Sequence, residues 1–142
     1  MAGCADPASP TGPAALTAPG VYVLVSPLPA AQLLTPSNEV WVESDTLELR
    51  PDGSFRDTNG QRIVNSNWGA DRHEWRRSAT ASGVWTLRGT ELTLTYGPET
   101  NDLGDALVVG PGPVAGPLTP TGQLTQPRRS QTGPVPYTWT RR

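Results

Sequence analysis

From residue 20 onward, apolar residues recur at every second position, the period of a half-buried β-strand. An apolar run at residues 21–25 predicts the first strand, and residues 46–50 alternate Leu47 and Leu49 with polar neighbours. Asp52-Gly53 then separates this segment from a strand that begins at Ser54. Because glycine supplies the positive φ of a tight turn, the pattern predicts a β-hairpin.

A second hairpin is predicted around Gly89-Thr90, between residues 84–88 and 91–96. Its alternation places Trp85 on the same face as Leu94 and Tyr96, and threonines and Arg88 on the other face. A longer strand is expected at residues 72–79, joined to this hairpin by a turn at Ser82-Gly83. The last strand is expected at residues 135–141, with Tyr137 and Trp139 directed inward.

Proline positions divide the remaining chain. No proline occurs between residues 52 and 97, where ladder hydrogen bonds require backbone N–H groups. Residues 97–136 are rich in proline and glycine, and we expect irregular loops there with strands at residues 105–109 and 123–126. Residues 30–38 are predicted to form a loop or one short helical turn.

About eight short strands joined in sequence predict an all-β fold, an antiparallel up-and-down barrel that leaves no free sheet edge. The alternative is a two-sheet sandwich, which requires longer crossovers. An eight-stranded barrel holds either a packed core or one small ligand. We expect the barrel domain at residues 20–142, after a disordered, proline-rich tether at residues 1–19.

Composition narrows the function classes. The 142 residues include 15 Gly and 16 Pro, one Cys and a net charge of −2. These values exclude a disulfide scaffold, a long helical bundle and a transmembrane helix protein. The pI near 5.3 argues against nucleic-acid binding by bulk charge.

The N-terminal residues Ala2-Gly3-Cys4 resemble the lipobox of bacterial lipoproteins, in which the cysteine becomes the lipidated first residue of the mature chain. Residues 5–20 follow as a proline-rich segment that suits a semi-extended spacer. The resemblance implies an exported protein of the bacterial cell envelope, anchored to the bilayer through lipidated Cys4. A chance Gly-Cys pair near a terminus is the alternative.

The segments GVYVLVSPLPA, DTLELRPDGSFR, SGVWTLRGTELTLTY and YTWTRR together resemble bacterial lipocalin-like lipoprotein domains. The likeness spans residues 20–142 and consists mainly of turn residues and strand alternation. It implies a lipocalin-like barrel that could enclose an apolar ligand. The longer proline-rich segment at residues 97–136 departs from the compact pattern of these domains.

The residues offer little for catalysis. Asp71 and His73 would share one face of a strand, but two ligands are too few for a zinc site. We expect these charged residues to mark the exposed start of a strand. We therefore predict no enzyme activity and no cofactor. The arginine pairs at residues 76–77, 128–129 and 141–142 are predicted to be solvated surface.

The aromatic residues are the best functional candidates. In a non-catalytic, monomeric lipocalin-like protein, a small apolar molecule would bind against Tyr22, Trp85, Leu94, Tyr96, Tyr137 and Trp139. The same side chains could instead fill the barrel, which the low aliphatic content favours. The protein would then be a structural or interaction module of the cell envelope that acts through its loops. Trp41, Trp68 and Trp75 would mark a partner surface if they were exposed together.

Overall fold

The computed structural model describes residues 17–34, 38–68, 71–97, 112–128 and 134–142. These residues form strands and turns, and no helix occurs among them, so none is available there to cross a membrane. The all-β prediction is confirmed. The strands are β1 (Gly20–Ser26), β2 (Ala30–Leu34), β3 (Asn38–Leu49), β4 (Ser54–Trp68), β5 (Asp71–Arg88), β6 (Glu91–Tyr96), β7 (Gly112–Pro117), β8 (Gln123–Arg128) and β9 (Val135–Arg141).

One antiparallel sheet contains all nine strands, in the order β7-β6-β5-β4-β3-β1-β9-β8, with β2 also paired to β3. β1 and β2 pair with different parts of β3, at residues 46–49 and 39–42. The two ends of the sheet meet where Leu118 on the β7 side bridges to Leu124 of β8. The result is the nearly closed barrel that was predicted, and not a two-sheet sandwich.

Both predicted hairpins form. Gly53 adopts a φ of +91° between β3 and β4, where Leu49 pairs with Phe55. Asp52 stabilises that turn because its carboxylate accepts a hydrogen bond from the backbone N–H of Ser54 at 2.9 Å. Gly89 adopts a φ of +66° between β5 and β6. The turns therefore use the left-handed backbone conformation that glycine allows.

The predicted turn at Ser82-Gly83 is wrong, because β5 runs through it without interruption for 18 residues. Gly83 is needed there for space instead. A Cβ atom on Gly83 would lie 1.9 Å from the Thr95 carbonyl oxygen and 2.8 Å from the Phe55 ring. Phe55 and Tyr96, which flank Gly83 on the neighbouring strands, make an edge-to-face contact with 4.8 Å between ring centroids. Gly83 thus lets two aromatic rings meet inside the barrel.

Other boundaries also differ from prediction. β3, β4 and β5 have 12, 15 and 18 residues and are not short. Residues 30–34 form a strand where a loop or helical turn was predicted, because β3 is long enough to pair with them. β7 was missed in the proline-rich region, whereas the strand predicted at residues 123–126 is confirmed as part of β8. The strand predicted at residues 105–109 lies outside the described residues.

The core begins at the end of the barrel that contains both glycine turns. Tyr22 is central there, because its hydroxyl donates to the Ala18 carbonyl at 2.6 Å and accepts from Arg141 at 3.0 Å. The Arg141 guanidinium also lies over the Tyr22 ring, 5.4 Å from its centroid, and donates to the Thr17 carbonyl. Apolar burial continues inward through Leu24, Leu47, Leu49, Phe55, Leu92, Leu94, Leu118, Leu124 and Trp139.

Candidate functional site

Polar side chains line the inner wall of β4. Phe55 points inward, and the period of two carries Asp57, Asn59 and Gln61 to the same face, each no more than 4% exposed. Asp45 of β3, the direct cross-strand partner of Asn59, is equally buried. The middle of the barrel therefore contains a polar layer above the apolar end.

β8 adds polar groups from another part of the wall. Leu124, Gln126 and Arg128 alternate with exposed or half-buried neighbours, and all three are buried. The prediction that Arg128 belongs to a solvated surface pair is therefore wrong. Alternation from Leu124 is the sequence signal that directs Arg128 inward, whereas its charge alone favours the surface.

Arg128 connects opposite walls of the barrel. β8 is the fourth strand from β4 when the sheet is followed through β3, β1 and β9. It is also the fourth strand from β4 in the other direction, through β5, β6 and β7 and across the β7–β8 seam. Nη2 of Arg128 donates to the Tyr96 hydroxyl at 2.7 Å and lies 3.6 Å from Oδ2 of Asp57. Tyr96 in turn donates to Oδ2 of Asp57 at 2.6 Å. The guanidinium also lies 4.8 Å from the Trp139 ring centroid.

We call these residues the interior cluster: Asp45, Asp57, Asn59, Tyr96, Arg128, Tyr137 and Trp139. Burial is the main cause of the raised pKa values of its acidic side chains. Burial raises the pKa of Asp45 well above its usual range, and the neighbouring Asp57 raises it further, while Arg128 opposes the shift. Burial also raises the pKa of Tyr137, to about 12.

Arg128 remains the positive group of the interior cluster. Burial alone would lower its pKa, but Tyr96, Asp57 and Asp45 outweigh burial, so the pKa of Arg128 is raised. Burial likewise raises the pKa of Tyr96, with Arg128 opposing the shift. Tyr96 is therefore a neutral hydrogen-bond donor to Asp57.

Several atoms of the interior cluster have no hydrogen-bond partner among the described residues. On β3 and β4 they are acceptor oxygens, namely Oδ1 of Asp45, Asp57 and Asn59. On β8 and β9 they are Nη1 of Arg128, Nε1 of Trp139 and the hydroxyl of Tyr137, and Oε1 of the neighbouring buried Gln126 also lacks a partner. Trp139 lies close enough to Asp45 to lower its pKa, yet its indole N–H makes no well-formed hydrogen bond. Each unpaired buried group costs about 1–3 kcal/mol.

The six residues predicted to bind a ligand separate into three groups. Tyr96, Tyr137 and Trp139 belong to the interior cluster. Leu94 and its cross-strand partner Trp85 lie in the apolar layer, where the Trp85 indole donates to the Arg50 carbonyl at 2.9 Å. Tyr22 lies at the end of the barrel beside Arg141.

The other candidates do not form a site among the described residues. His73 is exposed on β5, the side chain of Asp71 is not among those described, and the described residues contain no group of three or more potential metal ligands from His, Cys, Asp and Glu. Trp41 pairs with Arg62 and Trp75 with Ile63, so the two tryptophans lie on opposite faces of the sheet. The side chain of Trp68 and all of Cys4 lie outside the described part of the chain.

The outer wall of β3, β4 and β5 is charged. Glu43 binds both Arg62 at 3.1 Å and Arg76 at 2.8 Å, and Arg62 reaches Glu74 at 2.9 Å. Arg76 is exposed, as predicted for the first arginine pair, but Arg77 is half-buried and its Nε donates to the buried Gln61 at 3.4 Å, so the prediction is wrong for Arg77. The prediction that Arg141 is solvated is wrong in part, because it packs on Tyr22.

A groove of about 210 Å³ lies at the β7–β8–β9 seam, away from all six predicted ligand-binding residues. It is mainly apolar, and its lining is Ala115, Gly116, Pro117, Thr125, Gln126, Pro127, Pro134, Val135 and Pro136. Gly116 allows the seam to close, because a Cβ atom there would lie 1.8 Å from the Thr125 carbonyl oxygen.

Comparison of the chain with protein-family models, with curated proteins and with solved structures gives no match. The likeness to lipocalin-like lipoproteins therefore rests on the strand and turn motifs of the sequence and stays a prediction, while the barrel itself is a property of the structure.

Proposed function

We propose that the protein is a non-catalytic barrel module that binds a small polar molecule within the interior cluster. The observation that carries this proposal is the set of buried, unpartnered polar atoms on facing walls of the barrel. A buried polar group left without a hydrogen-bond partner costs about 1–3 kcal/mol. A ligand with hydrogen-bond donors and acceptors would offset that cost.

A polar ligand is better supported than the apolar ligand expected from the aromatic residues. Tyr137 and Trp139 pack against each other with 5.8 Å between ring centroids, and Phe55 similarly contacts Tyr96. Tyr22, Leu94 and these rings are already withdrawn from solvent. Their apolar surfaces have partners, whereas the polar atoms beside them do not.

The second candidate is a structural or interaction module of the cell envelope. The observation that favours it is the filling of the interior by large side chains, including Trp139, Arg128 and Tyr137. In that case bound water would complete the hydrogen bonds of the interior cluster. A partner protein would then bind to the outer surface of the barrel or to its loops.

Native mass spectrometry of protein purified from its own host distinguishes these candidates. We expect added mass on the wild-type protein, and its loss in Asn59→Leu, which replaces an amide whose oxygen is unpartnered with an apolar side chain of similar size. Thr58→Val is the matched control, because Thr58 precedes Asn59 on β4 but faces the outer wall.

A wild-type protein that carries no added mass, and is not stabilised by any small polar molecule in a thermal-shift panel, would contradict the binding function. The interaction module would then be the better account. Circular dichroism of Asn59→Leu shows whether loss of ligand reflects loss of fold.

We also propose that Cys4 is lipidated and holds the barrel at the surface of a bacterial membrane. The support is the lipobox-like Ala2-Gly3-Cys4 and the proline-rich segment behind it. Residues 17 and 18 are already held on the barrel by Arg141 and Tyr22. The spacer between lipid and barrel would therefore comprise residues 5–16.

A further inference from the structure

The unpartnered atoms of the interior cluster are sorted by chemistry. Asp45 and Asn59 are direct cross-strand neighbours, and Asp57 lies two residues before Asn59 on the same face, so three acceptor oxygens share one wall. The donors Nη1 of Arg128 and Nε1 of Trp139 come from β8 and β9. A ligand that satisfies both groups needs donors at one end and acceptors at the other.

We propose that the interior cluster takes a small zwitterion that carries an ammonium and a carboxylate group. This inference rests on the proposed binding function and specifies its ligand class. An ammonium has three N–H donors, one for each unpartnered oxygen of Asp45, Asp57 and Asn59. A carboxylate accepts from a guanidinium and an indole N–H, the donors left free on Arg128 and Trp139.

The existing contacts of Arg128 leave it able to bind a carboxylate. Its Nη2 is committed to Tyr96 at 2.7 Å, but its distance of 3.6 Å to Asp57 is too long for a hydrogen bond. The ligand carboxylate would occupy Nη1, and the ammonium would replace Arg128 as the closest positive partner of Asp57.

Charge balance distinguishes a zwitterion from simpler ligands. Asp57 already lies beside Arg128 as its ion-pair partner, so an added anion would bring a negative charge with no free positive partner in the interior cluster. A simple amine would leave the donors of Arg128 and Trp139 unpaired. A neutral primary amide has two N–H donors, one too few for the unpartnered oxygens of Asp45, Asp57 and Asn59.

The test is isothermal titration of the purified full chain with glycine, β-alanine and 4-aminobutyrate, and with methylamine, acetate and acetamide as single-group probes. We expect at least one zwitterion to bind tenfold or more tightly than every single-group probe. Asp45→Asn should weaken that zwitterion tenfold or more. Glu91→Gln, which removes an exposed acid at the β5–β6 hairpin, should leave binding unchanged.

Proton release gives a second measurement that a merely structural change would not reproduce. Asp45 faces Asp57, Tyr96, Arg128 and Tyr137, and a bound ammonium would favour its ionised form. Titrations between pH 4 and 8 in buffers of different ionisation enthalpy should detect proton release with the wild type and less of it with Asp45→Asn.

Two results would overturn the proposal in different ways. If the protein carries a host-derived ligand but zwitterions bind no better than methylamine or acetate, the ligand class is wrong while the binding function stands. If no probe binds and no added mass is found on the protein, the binding function fails as well.

Discussion

At the scale of single residues, the protein buries groups that are usually exposed. Arg128 and Asp57 lie inside the barrel, and Tyr96 connects them through two short hydrogen bonds. Replacing one side chain of such a network leaves the buried polar groups of the others without a partner. The three side chains therefore contribute jointly to the stability of the fold. The interior cluster should therefore dominate how stability depends on pH.

Asp45 gives the clearest residue-scale prediction. Its pKa is raised in the folded protein, so its contribution to stability is complete below the pKa of an unfolded aspartate, about 3.9. That contribution falls as pH rises toward the raised folded pKa, by at most about 1.4 kcal/mol per pH unit. Urea unfolding between pH 4 and 8 should show this loss in the wild type.

Asp45→Asn should remove that part of the pH dependence, because an amide cannot ionise. The variant should therefore gain stability relative to the wild type as pH rises. Glu91→Gln serves as the exposed control and should not remove this slope. An Asp45→Asn variant whose stability follows the wild-type pH profile would show that Asp45 does not hold its proton in the folded state.

At the scale of strands, close packing explains where prediction from local turn chemistry succeeds and fails. Gly53 and Gly89 follow the expected turn pattern, with positive φ between alternating segments. Gly83 is also a glycine, but for a different reason. The backbone of Thr95 and the ring of Phe55 occupy the space that a side chain at residue 83 would need. A Ser-Gly pair alone does not distinguish these two uses.

Gly83→Ala should destabilise the protein strongly while leaving both hairpin turns intact. The new methyl group would overlap a backbone carbonyl, which cannot move as a flexible side chain can, and we expect a loss of about 1–3 kcal/mol or more. Chemical unfolding measures this loss. Ser82→Ala, one residue earlier on the exposed face, should change stability by less than about 0.5 kcal/mol. Equal effects of the two substitutions would contradict the packing role of Gly83.

At the scale of the whole molecule, two distant parts of the chain close one end of the barrel. Arg141, near the last residue, contacts Tyr22 in β1 and the backbone of Thr17. The N-terminal segment therefore meets the barrel beside the C-terminal strand β9, which pairs with β1. A lipid at Cys4 would fix the orientation of this end relative to the membrane.

Cys4→Ser tests this attachment in the full-length gene product expressed in its host. We expect the wild type in the membrane fraction and the variant in the released fraction, because an acyl chain would supply the main membrane affinity. Ser9→Ala within the spacer is the control and should stay membrane-bound. A Cys4→Ser protein that remains with the membrane would contradict the tether.

The sequence by itself determined the strand type, the two glycine turns and the inward direction of Tyr137 and Trp139, because alternation and turn preference act between near neighbours. The tertiary structure alone decided that Asp57 and Arg128 meet, since β4 and β8 are brought together only when the barrel closes. It also decided that Gly83 lies within a strand. Local patterns describe one strand at a time, whereas burial, charge pairing and the candidate site depend on which strands face each other across the interior.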